Sequence, residues 1–135
     1  MTDRATGKVT GIGGVFFKTT DKAKTLDWFR THFGLAMEDW GTVFRWRERD
    51  DPDTKGNTVL GVFAADTGYF DPSPHPFMLN FRVDDLDAIM AQLRARGITV
   101  DEFPPAPNGR FAHLVGPDDV KIELWQPAVP DPYDP

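Results

Sequence analysis

The chain has 135 residues, 15 Lys and Arg against 21 Asp and Glu for a formal charge of −6, and no cysteine. That length suits one domain with its own core, and the lack of cysteine excludes a disulfide framework, cysteine-ligated zinc, iron–sulfur clusters and thiol catalysis. The acidic balance, without a long basic patch, argues against nucleic acid and anionic membranes as partners, and no apolar run is long enough to span a bilayer.

Residues 1–8 are polar and small and read as an N-terminal tail. Val15 and Phe17 then alternate with Gly14, Phe16 and Lys18, the period of a strand. Thr20 or Asp21 offers a helix cap, Leu26, Phe29 and Phe33 line one helical face, and Gly34 stops that helix. Leu35-Ala-Met37 begins another strand, and two more follow at 42–47 and 58–63. Asp71-Pro-Ser-Pro-His-Pro76 reads as a linker. The order then repeats. Phe77, Leu79, Phe81 and Val83 alternate with Met78, Asn80 and Arg82; Asp84-Asp85 opens a helix with Leu86, Ile89 or Met90, and Leu93 on its apolar face; Gly97 stops it. Strands are expected at 98–100, 110–115 and 120–125.

The chain is therefore an α+β protein with an internal βαβββ repeat. One domain spans 9–126, with modules at about 9–70 and 76–126. From Pro127 the sequence runs PAVPDPYDP, and residues 127–135 read as a loosely held proline-rich tail. Met1-Thr-Asp-Arg has no apolar segment behind it, so the expected location is cytoplasmic.

Few residues carry obvious chemistry. The histidines are His32, His75 and His113, and no two share a helix face at zinc-motif spacing. His32 reads as a helix-end residue and His75 as a linker residue, while the face of His113 stays open. Ser73 is the lone serine and lies in no nucleophile elbow. The informative acid is Glu123 in Lys121-Ile-Glu-Leu-Trp125, where Ile122 and Leu124 take one strand face and Glu123 the other. A carboxylate in an apolar strand needs water, a partner or an ion.

The double repeat, with DWFRTHFGL after the first strand, NFRVDDLDAIMAQLRARGI in the middle and IELW near the end, resembles the vicinal oxygen chelate superfamily of glyoxalases, bleomycin-resistance proteins and extradiol dioxygenases. The resemblance implies a curved mixed sheet in which two half-barrels form one cleft, and homodimers. It also implies a divalent metal in the cleft. Its four ligand positions fall at Gly14, near Gly61, at Met78 and at Glu123, so Glu123 alone can ligate. A weak divalent metal would need His113 or Glu38 to join it; otherwise no cofactor is expected. The family's turn before the last strand reads Gly116-Pro-Asp-Asp-Val120 here, with Asp119 in the place of a glycine.

Alternation puts Gly14, Phe16 and Lys18 on one cleft wall, Met78, Asn80 and Arg82 on another, and Glu123 with Trp125 opposite; Phe44 and Trp46 share a face that could join them. Arg82 and Lys18 offer an anion site or partners for Glu123. Three functions follow from this set. The first is capture of a small aromatic or anionic molecule by Phe16, Phe44, Trp46, Met78, Asn80, Arg82, His113 and Trp125. The second is a lyase, isomerase or dioxygenase using Glu123 as metal ligand or as general base. The third is an interaction domain whose cleft is filled by its own side chains.

Overall fold

The structure, a computed structural model, describes residues 7–134. Seven strands and two helices run in the order β1 (Val9–Thr19), α1 (Lys22–Phe33), β2 (Gly41–Arg47), β3 (Lys55–Ala64), β4 (Phe77–Val83), α2 (Leu86–Ala95), β5 (Asp101–Glu102), β6 (Gly109–Val115) and β7 (Lys121–Pro127), with a short 3-10 turn at Pro117–Asp119. They form one curved, open sheet of order β2-β3-β1-β4-β7-β6-β5. β1 and β4 meet antiparallel at the centre, and each pairs in parallel with the last strand of its own module, β3 and β7.

Local chemistry sets both helices alike. Asp21 accepts from Lys24 N at 3.1 Å, and Asp85 accepts from Ala88 N at 3.0 Å, each capping a helix start. Gly34 and Gly97 follow the helices with φ of 66° and 80°, a conformation glycine adopts without a Cβ penalty. Both helices lie on one side of the sheet. Leu86, Ile89 and Met90 of α2 pack with Val83, Val100, Ala112 and Leu124, and Leu26 of α1 packs with Met37 and Val62. The other face is left concave.

Four expectations change. Residues 35–37 form no strand; Leu35 and Met37 pack under α1, and Glu38 makes a single bridge to Gly41. Residues 98–100 are likewise irregular, and the strand there shrinks to Asp101–Glu102. Phe33 leaves the core face and is 63% exposed. The tail is not loose: β7 runs to Pro127, and Asp131, Tyr133 and Asp134 bond back onto the sheet. In the turn before β7, Asp118 and Asp119 both take left-handed φ, 55° and 62°. No helix among the described residues is long and apolar enough to cross a membrane.

Leu86 is fully buried where α2 seals the second module. Leu86→Ala is expected to lower the unfolding free energy by about 2–5 kcal/mol. Urea unfolding followed by circular dichroism measures this, and a loss under about 1 kcal/mol would mean that α2 does not hold that core.

Candidate functional site

The concave face holds a cavity of about 380 Å3. Phe16 and Asn80 reach it from the central strands, Val59, Gly61 and Phe63 from β3, Phe111 from β6, and Glu123 and Trp125 from β7. Tyr69, Phe103 and Asn108 enter from loops, and Trp40 and Tyr133 stand at the side of β2 and the tail. Glu123 is the one charged side chain in this lining.

The register of three neighbouring strands builds the polar end. β4 pairs Asn80 with Glu123, and β6 pairs His113 with Glu123, so the three residues form one row across the sheet. Glu123 is 2% exposed. Its Oε1 accepts from Asn80 Nδ2 at 2.6 Å, and its Oε2 meets His113 Nε2 at 2.7 Å. Oε2 also accepts from Tyr69 Oη. With a carboxylate as acceptor, this network assigns the His113 proton to Nε2, leaving Nδ1 buried without a partner.

Tyr69 sits in the loop between the modules. Its ring stacks on Phe63 at 5.4 Å, and its carbonyl accepts from Lys121 Nζ at 2.7 Å. Burial first, then the charge and hydrogen bond of Glu123, push its phenol well above the ordinary range. Tyr69 therefore stays protonated and serves as a donor.

Phe16, Asn80, Glu123 and Trp125 meet in the cavity. His113 stands just behind it, touching Glu123 with its ring against Phe103 at 4.1 Å. Met78 does not line the cavity; it is fully buried and packs with Phe16 and Phe70. Arg82 does not reach Glu123; its guanidinium lies over Trp46 at 5.3 Å and over Trp125 at 5.2 Å. Lys18 is likewise turned away, over Phe70 at 5.2 Å. Phe44 falls outside the site for a reason of register. The β2–β3 pairing sets Val43 opposite Val59 on the cavity side and Phe44 opposite Thr58 on the other, leaving Phe44 46% exposed. Trp46 shares that side of β2 and donates Nε1 to Thr58 Oγ1 at 2.9 Å; it does not line the cavity.

Sequence reasoning missed Tyr69, Asn108 and Tyr133. Tyr69 and Asn108 lie in loops without periodicity, and Tyr133 lies among prolines that read as slack chain.

The metal that the resemblance implies does not fit these residues. The residue opposite Glu123 in the strand register is Asn80, not Met78, and it already donates to the carboxylate. In the first module the matching pair is Phe16 opposite Gly61. A Cβ at Gly61 or at Gly14 would press into the Phe16 ring, at 2.7 Å and 2.6 Å. Two glycines thus seat a benzyl ring in the half of the site where ligands are expected. Glu38 is exposed, bridges to Gly41 and does not line the cavity. Among the described residues no group of three His, Asp or Glu could hold an ion.

No protein-family model matches the sequence, and no curated protein matches it in a sequence search. Solved structures do match. Methylmalonyl-CoA epimerase from Streptomyces coelicolor, in complex with 2-nitronate-propionyl-CoA, is 20% identical over 90% of this chain and 99% of its own, with a TM-score of 0.65. The epimerase from Mycobacterium tuberculosis is 22% identical over 89% of each chain, with a TM-score of 0.57. A Legionella pneumophila protein described as an NAD-dependent benzaldehyde dehydrogenase is 20% identical over 85% of this chain and 98% of its own, with a TM-score of 0.52. At these identities the likeness is one of fold: the chain has the glyoxalase-like fold of the vicinal oxygen chelate superfamily.

The raised phenol of Tyr69 fixes a sign. In the unfolded chain it ionises near the ordinary value of 10.0, while the folded state holds its proton. Its contribution is fully present below that value and is lost as pH rises above it. Stability of the wild-type protein is expected to fall between about pH 9.5 and 11.5, and the fall to be shallower in Tyr69→Phe. Urea midpoints across that range measure both slopes; equal slopes would refute the assignment.

Proposed function

We propose that the protein captures a small, planar, largely apolar molecule in the concave cleft, with Glu123 and its donors as the polar end. The observation that carries this reading is the cavity itself: aromatic walls around one buried carboxylate. Concave, mostly apolar pockets with a few placed polar groups are the usual form of small-molecule sites. Burying roughly 200 Å2 of apolar ligand surface contributes about 5 kcal/mol before the costs of association.

Charge narrows the ligand. The nearby cations are engaged: Arg82 between two tryptophans, and Lys121 on the Tyr69 carbonyl. The lining offers a carboxylate and no cation. This supports a neutral or cationic ligand over a phosphate-bearing thioester such as those bound to the Streptomyces epimerase. Capture without turnover is what the resemblance to bleomycin-resistance proteins implies. The same reading carries the homodimer, which sedimentation velocity at two concentrations tests.

A second reading, an isomerase or lyase that moves a proton through Glu123, draws on one feature. Oε2 holds two donors while Oε1 holds one, Asn80, so Oε1 keeps a lone pair for a substrate proton. Turnover that disappears in Glu123→Gln, with folding intact, would favour it over capture.

The neutral fluorophore N-phenyl-1-naphthylamine is a direct probe of the cleft. The wild-type protein is expected to enhance its emission and bind one molecule per chain. Phe16→Ala, which removes a wall, should weaken binding roughly tenfold. No saturable enhancement would defeat the proposal. Equilibrium dialysis against zinc, nickel and manganese should leave well under one ion per chain, unchanged in Glu123→Gln. A stoichiometry near one that Glu123→Gln abolishes would return the site to metal chemistry.

A further inference from the structure

The C-terminal segment, residues 128–134, crosses the open side of the sheet. Ala128 N donates to Asn108 O at 3.1 Å, and the chain then passes through Val129, which is 97% exposed, before it comes back down. It lands at Asp131. Oδ2 of that residue accepts from Asn57 Nδ2 at 2.6 Å, on β3, and stands 4.0 Å from Arg82 Nη1, on β4. Oδ1 accepts from the Tyr133 backbone N–H at 2.9 Å, which fixes where Tyr133 points.

Tyr133 then closes the cavity. Its ring sits 5.7 Å from Trp40 and edge-on to Trp125 at 6.2 Å, and its hydroxyl lies 3.3 Å from Asn108 Nδ2. Its carbonyl accepts from Arg45 Nε at 3.0 Å, on β2. The segment thus holds to β2, β3 and β4, and one of its side chains is a wall of the cavity.

We propose that residues 128–134 are a strap belonging to the binding site, in which Asp131 is the latch and Tyr133 the outer wall that contacts the ligand. This rests on the small-molecule reading above and adds to it the residue that covers the bound molecule and the contact that must open to admit it. The latch is suited to opening. Arg82 keeps its two tryptophan faces when Asp131 leaves, and its Nη1, which already makes no hydrogen bond, loses only a long 4.0 Å ion pair. The Asn57 amide is the partner that release leaves without its acceptor, and it sits where the lifted strap admits water. The aromatic wall suits a planar ligand, which would lie against Tyr133 and Trp125 in the offset or edge-on arrangements that rings prefer.

Four proteins test this: the wild type, Asp131→Ala, Tyr133→Ala and Tyr133→Phe. Stopped-flow mixing with N-phenyl-1-naphthylamine reads association and dissociation, and amide hydrogen exchange by mass spectrometry reads peptides covering 128–134 without any ligand. Asp131→Ala should raise exchange in that segment and speed both association and dissociation several-fold. Tyr133→Ala should weaken binding about tenfold, chiefly through faster dissociation, while Tyr133→Phe keeps most of the affinity. Exchange in 128–134 that is already at the unprotected rate in the wild type would overturn the proposal. So would variants whose rates and affinity match the wild type. If the wild type binds no probe, the cleft reading itself falls and takes this inference with it. If the wild type binds and the variants bind equally well, the strap alone falls.

Discussion

One buried carboxylate organises the molecule. Withdrawing Glu123 from water costs several kcal/mol unless its charge is met by well-placed donors. Here Asn80 comes from β4, His113 from β6 and Tyr69 from the loop that leads out of the first module. Asn80 and His113 are neighbours of Glu123 by strand register alone. Tyr69 is not; it reaches over only because Lys121 and Phe63 hold its loop down. The carboxylate therefore ties the two modules together as well as forming the floor of the cavity. A slip of one residue between β4 and β7 would turn Asn80 to the helical side and leave the charge short of a donor.

The second constraint is the asymmetry between the repeats. A duplicated module offers two equivalent rows, and this chain uses them differently. One row is Asn80 and Glu123; the other is Phe16 and Gly61. Gly14 and Gly61 are empty of side chain because the Phe16 ring occupies their space. The exchange is volumetric: a ring fills what two smaller side chains would have shared, and the cavity becomes a hydrophobic slot with a single polar end. Gly13 plays a related part. A Cβ there would collide with Asn80 Oδ1, so the amide that supports Glu123 depends on a bare backbone across the strand pair.

Much of this was legible in the sequence. Asp21 and Asp85 before the helices, and Gly34 and Gly97 after them, announce the repeat because caps and left-handed stops are local chemistry. The face of Glu123 followed from its alternation with Ile122 and Leu124, which needs nothing beyond the period of a strand. What failed were properties that one strand cannot reveal. Phe44 alternates correctly within β2, yet its side of the sheet is set by the pairing of Val43 with Val59. Met78 stood where a ligand was expected because offsets between repeats are uncertain by a residue or two, and the β1–β4 pair carries irregularities between Val9 and Gly14. Arg82 read as an anion site or a partner for Glu123; instead it lies over two tryptophans that come from opposite halves of the chain. Tyr133 could not be read at all, since proline-rich composition tells that a segment avoids helix and sheet but not whether it docks.

Trp125 joins the carboxylate to the strap. It follows Glu123 by two residues, so both face the cavity from one strand. Its indole N–H donates to Asn108 O at 2.9 Å, its ring stacks with Phe111 at 6.0 Å, and Arg82 and Tyr133 lie against it. It is 1% exposed, so its position is fixed from every side. A molecule at Glu123 would share the cavity with this indole, and Tyr133 meets the same ring. The polar end and the outer wall are therefore not independent contacts. A rise of two strand residues, roughly 7 Å, separates Glu123 from Trp125, and Tyr133 stands edge-on to that indole at 6.2 Å, so one side chain links the polar end to the outer wall.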